Sequence, residues 1–196
     1  MQTRTEKGGK NSEGPIGTGL VIERRFTTIG EDPFDQFDWI EMDVEIRNAD
    51  GSLAHRIDDV RLPSGFSGVA GKVLAQKYLR KAGVPAILRK VKEKGVPTWL
   101  QRSEPDHEKL QSLDPEKRFI GESHGRELFR RLAGTWTYWG WKHGYFEAEA
   151  DARAYFDEMC YLIASQRSAP NSPQWFNTGL HWAYGIEGPA QGHRYI

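Results

Sequence analysis

The sequence predicts an α+β fold, mainly helical, with one β-hairpin close to its amino terminus. Two patterns carry this prediction. Apolar and charged residues alternate from Trp39 to Arg47 with the period of a half-buried strand, and apolar residues after Phe66 recur with the period of a helix. Residues 1–19 are polar and rich in glycine, so we expect a disordered tail before the folded region.

The predicted hairpin contains a turn and an irregularity. Residues 48–51, Asn-Ala-Asp-Gly, supply turn chemistry, and Gly51 can adopt a positive φ. Leu53 and Ile57 then resume the alternation, whereas Leu62 is out of phase with them. We therefore expect a bulge or break in the second strand near Asp58-Asp59.

Four helices are predicted from apolar spacing and from the residues that end helices. Glycine followed within two residues by proline is expected to end the first two, at Gly83 and Gly95. The first helix should bury a stripe made of Phe66, Val69, Val73, Leu74 and Tyr78. The second is expected from about Ala86 to Lys94, the third from Ser123 and the fourth from Glu147, while residues 98–122 should be irregular.

The charge balance argues against a nucleic-acid-binding protein. The chain has 27 Lys or Arg and 27 Asp or Glu residues, whereas binders of nucleic acid usually carry a basic excess. No run approaches the roughly 18 apolar residues of a membrane helix. The polar start also lacks the apolar core of a secretory signal. We expect a cytoplasmic protein with neither nucleic acid nor a membrane as partner.

Cys160 is the single cysteine, which excludes an internal disulfide and a cysteine-rich metal site. It lies on the flank of the apolar stripe of the fourth helix. We therefore expect a small buried side chain rather than a reactive thiol. His181 and His193 have no cysteine or carboxylate at the spacing that zinc sites show, so no metal site is predicted.

Residues 169–179, Ala-Pro-Asn-Ser-Pro-Gln-Trp-Phe-Asn-Thr-Gly, are the most distinctive segment. Pro170 and Pro173 disfavour helical conformation in the residues before them, so the stretch should be stiff and extended. Two interpretations follow. The Ser172 hydroxyl and nearby amides could bind a phosphate oxygen, which accepts several short hydrogen bonds. Alternatively, the segment is only a rigid connection from a helix to a strand.

This segment resembles the entry to the ten-stranded α/β barrel of ribonucleotide reductases. Three further stretches resemble the cobalamin-dependent (class II) members in particular, and the resemblance runs from about residue 20 to the end of the chain. These stretches are residues 73–85 (VLAQKYLRKAGVP), 132–146 (LAGTWTYWGWKHGYF) and 177–193 (NTGLHWAYGIEGPAQGH).

The resemblance implies a ribonucleoside-diphosphate reductase that makes deoxyribonucleotides by radical chemistry initiated by adenosylcobalamin. Ser172 matches the position that binds substrate phosphate. The catalytic cysteines and the cobalamin site are expected outside this chain, so no catalytic residue is assigned within it. The residues themselves do not separate diphosphate from triphosphate substrates, and a homodimer is possible.

The resemblance also divides the chain. Residues 20–168 should form a hairpin-containing helical domain, and residues 169–196 should enter the first strand of the barrel. Four aromatic residues are expected where the two parts meet: Trp136, Trp139, Trp175 and Phe176. Ribonucleotide and the remainder of the catalytic chain are the expected partners.

Three functions therefore stay open. The chain could be the amino-terminal part of a reductase that is inactive alone. It could be a separate module whose aromatic residues stack on a base or sugar. It could also be a structural subunit that completes a separately encoded catalytic chain.

Overall fold

A computed structural model describes residues 19–66 and 68–188, without the side chain of His55. The tail expected at the amino terminus therefore lies, except for Gly19, outside the described residues. The strands are β1 (Trp39–Arg47), β2 (Leu53–Pro63), β3 (Val84–Pro85), β4 (Leu88–Lys90), β5 (Ser103–Pro105) and β6 (Phe119–Ile120). The helices are α1 (Val69–Lys77), α2 (His107–Gln111), α3 (Gly125–Lys142), α4 (Glu149–Ala164), α5 (Ser172–Asn177) and α6 (Leu180–Tyr184).

The structure confirms the mixed α and β class and the long hairpin. Strands β1 and β2 pair antiparallel, with Met42 opposite Val60 and Val44 opposite Ile57. Between these pairs two residues of β2 face one residue of β1, which is the arrangement of a β-bulge. Asp59 adopts a φ of 56° there, so the predicted irregularity lies where the alternation changed phase.

Helix α1 forms where a helix was predicted, and Phe66, Leu74 and Tyr78 of the predicted stripe pack in or against the core, but the two valines do not. Val69 is 77% exposed and Val73 is 37% exposed, whereas Leu74 and Ala75 are buried. Gly71 faces the core, where a β-carbon would lie 2.2 Å from the Phe66 carbonyl oxygen and 3.0 Å from the Met42 sulfur. The helix packs its smallest residue against the hairpin, and the two valines point away.

The prediction of a helix from Ala86 to Lys94 is wrong. Strand β4 occupies this segment and pairs antiparallel with β5, so that Leu88 lies opposite Pro105 and Lys90 opposite Ser103. The partner strand comes from residues 98–122, which were expected to be irregular but contain β5, α2 and β6. Pairing with this distant segment satisfies the backbone groups that a helix would have satisfied locally.

Helices α3 and α4 form the centre of the molecule. They start at Gly125 and Glu149, two residues after the predicted starts. Their facing sides join the hairpin and α1 in one apolar core. The core includes Phe34, Val44, Leu62, Leu74, Leu128, Phe129, Leu132, Phe156, Cys160, Ile163 and Trp175. Cys160 is fully buried, as predicted, and burial raises the pKa of its thiol well above the ordinary value.

The end of the described chain is helical. Residues 169–188 contain α5 and α6 and no strand, so the first barrel strand expected in this part is not present there. The small sheets elsewhere have two strands each. Within the part of the chain that the structure describes, no helix has the length and apolar character needed to cross a membrane.

Candidate functional site

Ser172 is the first residue of α5 and its side chain is exposed. Its Oγ lies 3.2 Å from the Tyr78 hydroxyl, which extends from the end of α1. The prediction of a fully extended stretch is wrong at this residue, because Pro173 stands in the first turn of a helix, where its missing N–H costs nothing. Asn171 before it is extended, with φ −60° and ψ 149°.

Aromatic packing joins α5 to the core. The ring of Trp175 is buried and stacks on Tyr78, with centroids 5.3 Å apart and an interplanar angle of 23°. Phe176 contacts the same tyrosine ring at 5.2 Å. The Trp175 indole N–H donates to the Pro170 carbonyl at 2.9 Å, which ties the proline-rich stretch to the helix that follows it. Ser172 therefore sits on a short helix with a fixed position.

A buried ion pair lies beneath this helix. Arg131 of α3 and Glu122, just before α3, both have side chains with 0% exposure. The guanidinium donates two hydrogen bonds to the carboxylate, Nε to Oε1 at 2.8 Å and Nη2 to Oε2 at 3.1 Å. The Tyr184 hydroxyl and the Arg80 backbone N–H also donate to Glu122, each at 2.7 Å. The carboxylate thus connects the segment after α1 with α3 and α6.

The same guanidinium also donates hydrogen bonds to the segment that carries Ser172. Arg131 Nη1 donates to the Thr178 carbonyl at 2.6 Å, and both Nη atoms approach the Trp175 carbonyl at 3.3–3.4 Å. These carbonyls are at and just after the end of α5, where backbone acceptors lack helical partners. Arg131 therefore satisfies the carboxyl end of α5 and fixes its distance from the core.

Gly179 permits the close approach. Its φ is +86°, and a β-carbon at this position would lie 2.3 Å from the Arg131 carbonyl oxygen. Any larger residue would push α5 and α6 away from α3. The Asn-Thr-Gly end of the distinctive segment is thereby explained by packing as well as by backbone conformation.

Sequence reasoning predicted Ser172 as a substrate contact and did not single out Arg131 or Glu122. Arg131 is one of two adjacent arginines in a helix, and Glu122 lies in a segment that was expected to be irregular. Nothing in their spacing indicates that the two side chains meet. The one available signal is a charged residue one position before the apolar Leu132, on the side of the helix that should face the core.

The other predicted interface residues do not all meet at this site. Trp136 is partly buried against the core, whereas Trp139 is 51% exposed. Cys160 lies in the core on α4. Within the described residues no group of three or more His, Cys, Asp or Glu side chains could hold a metal ion.

Comparison with known proteins identifies the family. A family model described as class II vitamin B12-dependent ribonucleotide reductase matches residues 41–166. The chain is 55% identical over 177 residues to the vitamin B12-dependent ribonucleotide reductase of Bradyrhizobium diazoefficiens, which is 90% of this chain and 14% of that relative. The corresponding protein of Agrobacterium fabrum is 54% identical, again over 90% of this chain and 14% of that relative. The protein of Rhodopirellula baltica is 26% identical over 87% of this chain and 13% of its own length.

These matches confirm the resemblance found in the sequence. The chain spans about one seventh of the length of the relatives it matches, since 177 residues make up 14% of each of the two most similar ones reported above. The part matched by the family model includes most of the hairpin and all of α3 and α4, elements that build the core. This chain belongs to the class II vitamin B12-dependent ribonucleotide reductase family.

Proposed function

We propose that this chain is the amino-terminal part of a cytoplasmic reductase that converts ribonucleoside diphosphates to deoxyribonucleotides for DNA synthesis. The family membership supports this proposal, as do relatives named vitamin B12-dependent ribonucleotide reductases. Adenosylcobalamin supplies the radical chemistry in this proposal. We assign none of the described residues to it and place its site in the remainder of the catalytic chain.

Ser172 is proposed to donate a hydrogen bond to a phosphate oxygen of the ribonucleotide. The observation that carries this role is an exposed hydroxyl on a helix whose position is set by a buried ion pair and a stacked tryptophan. A hydroxyl held in this way loses little freedom when a substrate binds. The Tyr78 hydroxyl, 3.2 Å away, can orient the Ser172 hydroxyl or donate to the same phosphate.

Cys160 is proposed to have no part in the reduction. Its thiol is fully buried, and burial disfavours the thiolate that would act as nucleophile or reductant. The chain alone therefore holds no reducing pair. We expect no reductase activity from these residues without the rest of the catalytic chain.

Replacement of Ser172 by alanine in the full-length reductase that carries this segment tests the proposal. We expect weaker ribonucleotide binding by about 1–3 kcal/mol, the range for a hydrogen bond to a charged group, which is a rise in KM of roughly 5- to 150-fold. The measurement is steady-state kinetics with a ribonucleotide substrate, adenosylcobalamin and a dithiol.

Ser112→Ala is the matched control. Ser112 is also exposed, and its hydroxyl donates to the Lys109 carbonyl on the unrelated helix α2. This variant should keep the KM of the wild type. Equal KM and kcat in Ser172→Ala and the wild type would show that Ser172 makes no substrate contact.

A further inference from the structure

Helix α3 ends in an exposed aromatic surface. Leu20, Trp136, Trp139, Tyr145 and Phe146 line a cavity of about 660 Å³ on one side of Trp139. Leu20 is 59% exposed, Trp139 51% and Tyr145 61%. We call the surface formed by these five residues the Trp139 face. A contiguous patch of large apolar side chains on a protein surface usually marks an interface.

The indole N–H groups also single out this face. The chain has seven tryptophans, and five of them donate this hydrogen to a carbonyl or carboxylate oxygen: Trp39, Trp99, Trp141, Trp175 and Trp182. Trp136 and Trp139 make no such bond to a described residue. A tryptophan that is to be buried generally needs an acceptor for this hydrogen. The two tryptophans of the Trp139 face thus keep donors available.

A polar notch of about 370 Å³ lies on the other side of Trp139. Two of its oxygens, Thr135 Oγ1 and Asn177 Oδ1, are buried and have no hydrogen-bond partner among the described residues. Thr135 is only 2% exposed. Buried polar atoms almost always have partners, so this unsatisfied pair marks the region of the notch as incomplete within the described residues.

Two polar groups in the walls of the notch already make hydrogen bonds within the chain. The Tyr138 hydroxyl donates to Glu93 at 2.6 Å, and burial together with this carboxylate raises the pKa of Tyr138 to about 12. The Trp182 indole donates to the Leu100 carbonyl at 2.9 Å. The polar groups of Tyr138 and Trp182 in the walls are therefore already engaged, whereas the Thr135 and Asn177 oxygens lie buried beneath the surface without a partner among the described residues.

We propose that the Trp139 face and its notch are the surface on which the catalytic remainder of the same reductase packs. The inference rests on the proposed function in taking the chain as part of a longer enzyme. The relatives are about seven times longer than the matched segment, so most of their chain lies outside it. Helix α6 contributes His181 and Trp182 to the notch, and the chain continues from α6 toward its carboxyl end.

The chemistry of the surface specifies what the catalytic remainder presents. Apolar side chains fill the larger cavity, and an acceptor receives the indole hydrogen of Trp139. A side chain of the catalytic remainder fills the notch beside Trp139. This arrangement joins an apolar patch to a few directed hydrogen bonds, as the buried centre of a stable interface does.

Hydroxyl-radical footprinting of the full-length reductase that carries this segment tests the proposal. Phe119 on β6 is the internal reference, because its exposure here, 52%, matches the 51% of Trp139. After correction for intrinsic reactivity, Trp139 and Tyr145 should be oxidised several-fold more slowly than Phe119. Oxidation of Trp139 at the corrected rate of Phe119 would overturn the proposal. The readout needs no activity, so its outcome is independent of the Ser172 test.

The variants Trp139→Glu and Phe119→Glu in the same full-length enzyme form a matched pair. Trp139→Glu should lower the unfolding temperature and speed proteolysis between this segment and the rest, whereas Phe119→Glu should change neither. Equal behaviour of the two variants would contradict the proposal. Protection of Trp139 that disappears when the enzyme is diluted to a monomer would show a second copy as the occupant and would also contradict it.

Discussion

The hairpin and the junction beneath α5 use the same charged groups in opposite surroundings. On the hairpin, Arg56 pairs with Asp43 at 2.7 Å, and the two side chains are 47% and 52% exposed. Beneath α5, Arg131 pairs with Glu122 at 2.8 Å with both side chains fully buried. The distances barely differ, so the contrast between the two regions is one of solvent.

Solvent decides what each pair contributes. Exposed ion pairs contribute little to the free energy of folding, since water and salt screen the attraction and two long side chains must be ordered. A buried pair has lost its hydration, and each partner then depends on the other. The exposed ion pairs of the hairpin therefore add little to two strands that are held together by backbone hydrogen bonds. The Arg131–Glu122 pair sets the position of α5 and, with it, the position of Ser172.

The largest expected effect comes from Arg131→Met. This change leaves Glu122 charged and buried with only the Tyr184 hydroxyl and the Arg80 N–H as donors. We expect the free energy of unfolding to fall by about 3–5 kcal/mol, the usual result of removing one partner from a buried pair. Denaturant unfolding of the chain measures the change.

The double variant Arg131→Met with Glu122→Met is the control. It removes the stranded charge, so it should be more stable than Arg131→Met alone although it loses the bonds to Tyr184. A double variant that is less stable than the single one, or a single variant that unfolds like the wild type, would refute the importance assigned to burial.

An intermediate effect is expected for Glu158→Gln. Glu158 is 8% exposed, and its Oε1 accepts hydrogen bonds from Arg25, Phe26 and Thr27. Burial opposes ionisation, but the hydrogen bonds outweigh it and lower the pKa of Glu158 below its ordinary 4.5. At neutral pH the variant should lose about 1–3 kcal/mol of stability, as for hydrogen bonds to a charged group.

The pH dependence of this loss follows from the direction of the shift. The folded chain favours ionised Glu158, so its contribution is present above pH 4.5 and is lost as the pH falls through the lowered pKa. The difference between Glu158→Gln and the wild type should therefore shrink in acid. Glu127 is the control, because burial raises its pKa. The stability of Glu127→Gln relative to the wild type should therefore increase as the pH rises. Parallel pH profiles for the two variants would contradict both assignments.

The smallest effect is expected for Arg56→Ala on the hairpin. Arg56 contacts Asp43, Glu45 and Asp58, yet all four side chains are exposed. We expect a loss of about 0.2–1 kcal/mol, which added salt should reduce further. Thermal unfolding at low and high salt measures it. A loss as large as that of Arg131→Met would remove the distinction between the two regions.

Local patterns predicted the elements that depend on a single neighbouring surface. The alternation in β1 and the change of phase in β2 located the hairpin and its bulge, because side-chain direction in a strand repeats every two residues. The helical spacing located α3 and α4 to within two residues and placed Cys160 in the core. The distinctive proline-rich segment also identified Ser172 as the candidate contact.

The errors arise where a distant segment competes with local preference. Residues 86–94 have acceptable helical composition, but β5 offers their backbone a partner that the local sequence does not reveal. Helix α1 turns Gly71 inward, where the Phe66 carbonyl and the Met42 side chain leave no room for a β-carbon, and its two valines are exposed. In both cases, long-range packing overrode a weak local propensity.

The sequence by itself determined the class of the fold, the family and the residue proposed to meet the substrate. These follow from periodicity, turn residues and an ordered set of motifs, all of which are properties of neighbouring positions. Only the tertiary structure decided that Arg131 meets Glu122 beneath α5 and that Trp139 stays half-exposed beside two unsatisfied oxygens. The physical reason is that burial, and with it the strength of a charge or the need for a partner, depends on residues far away along the chain.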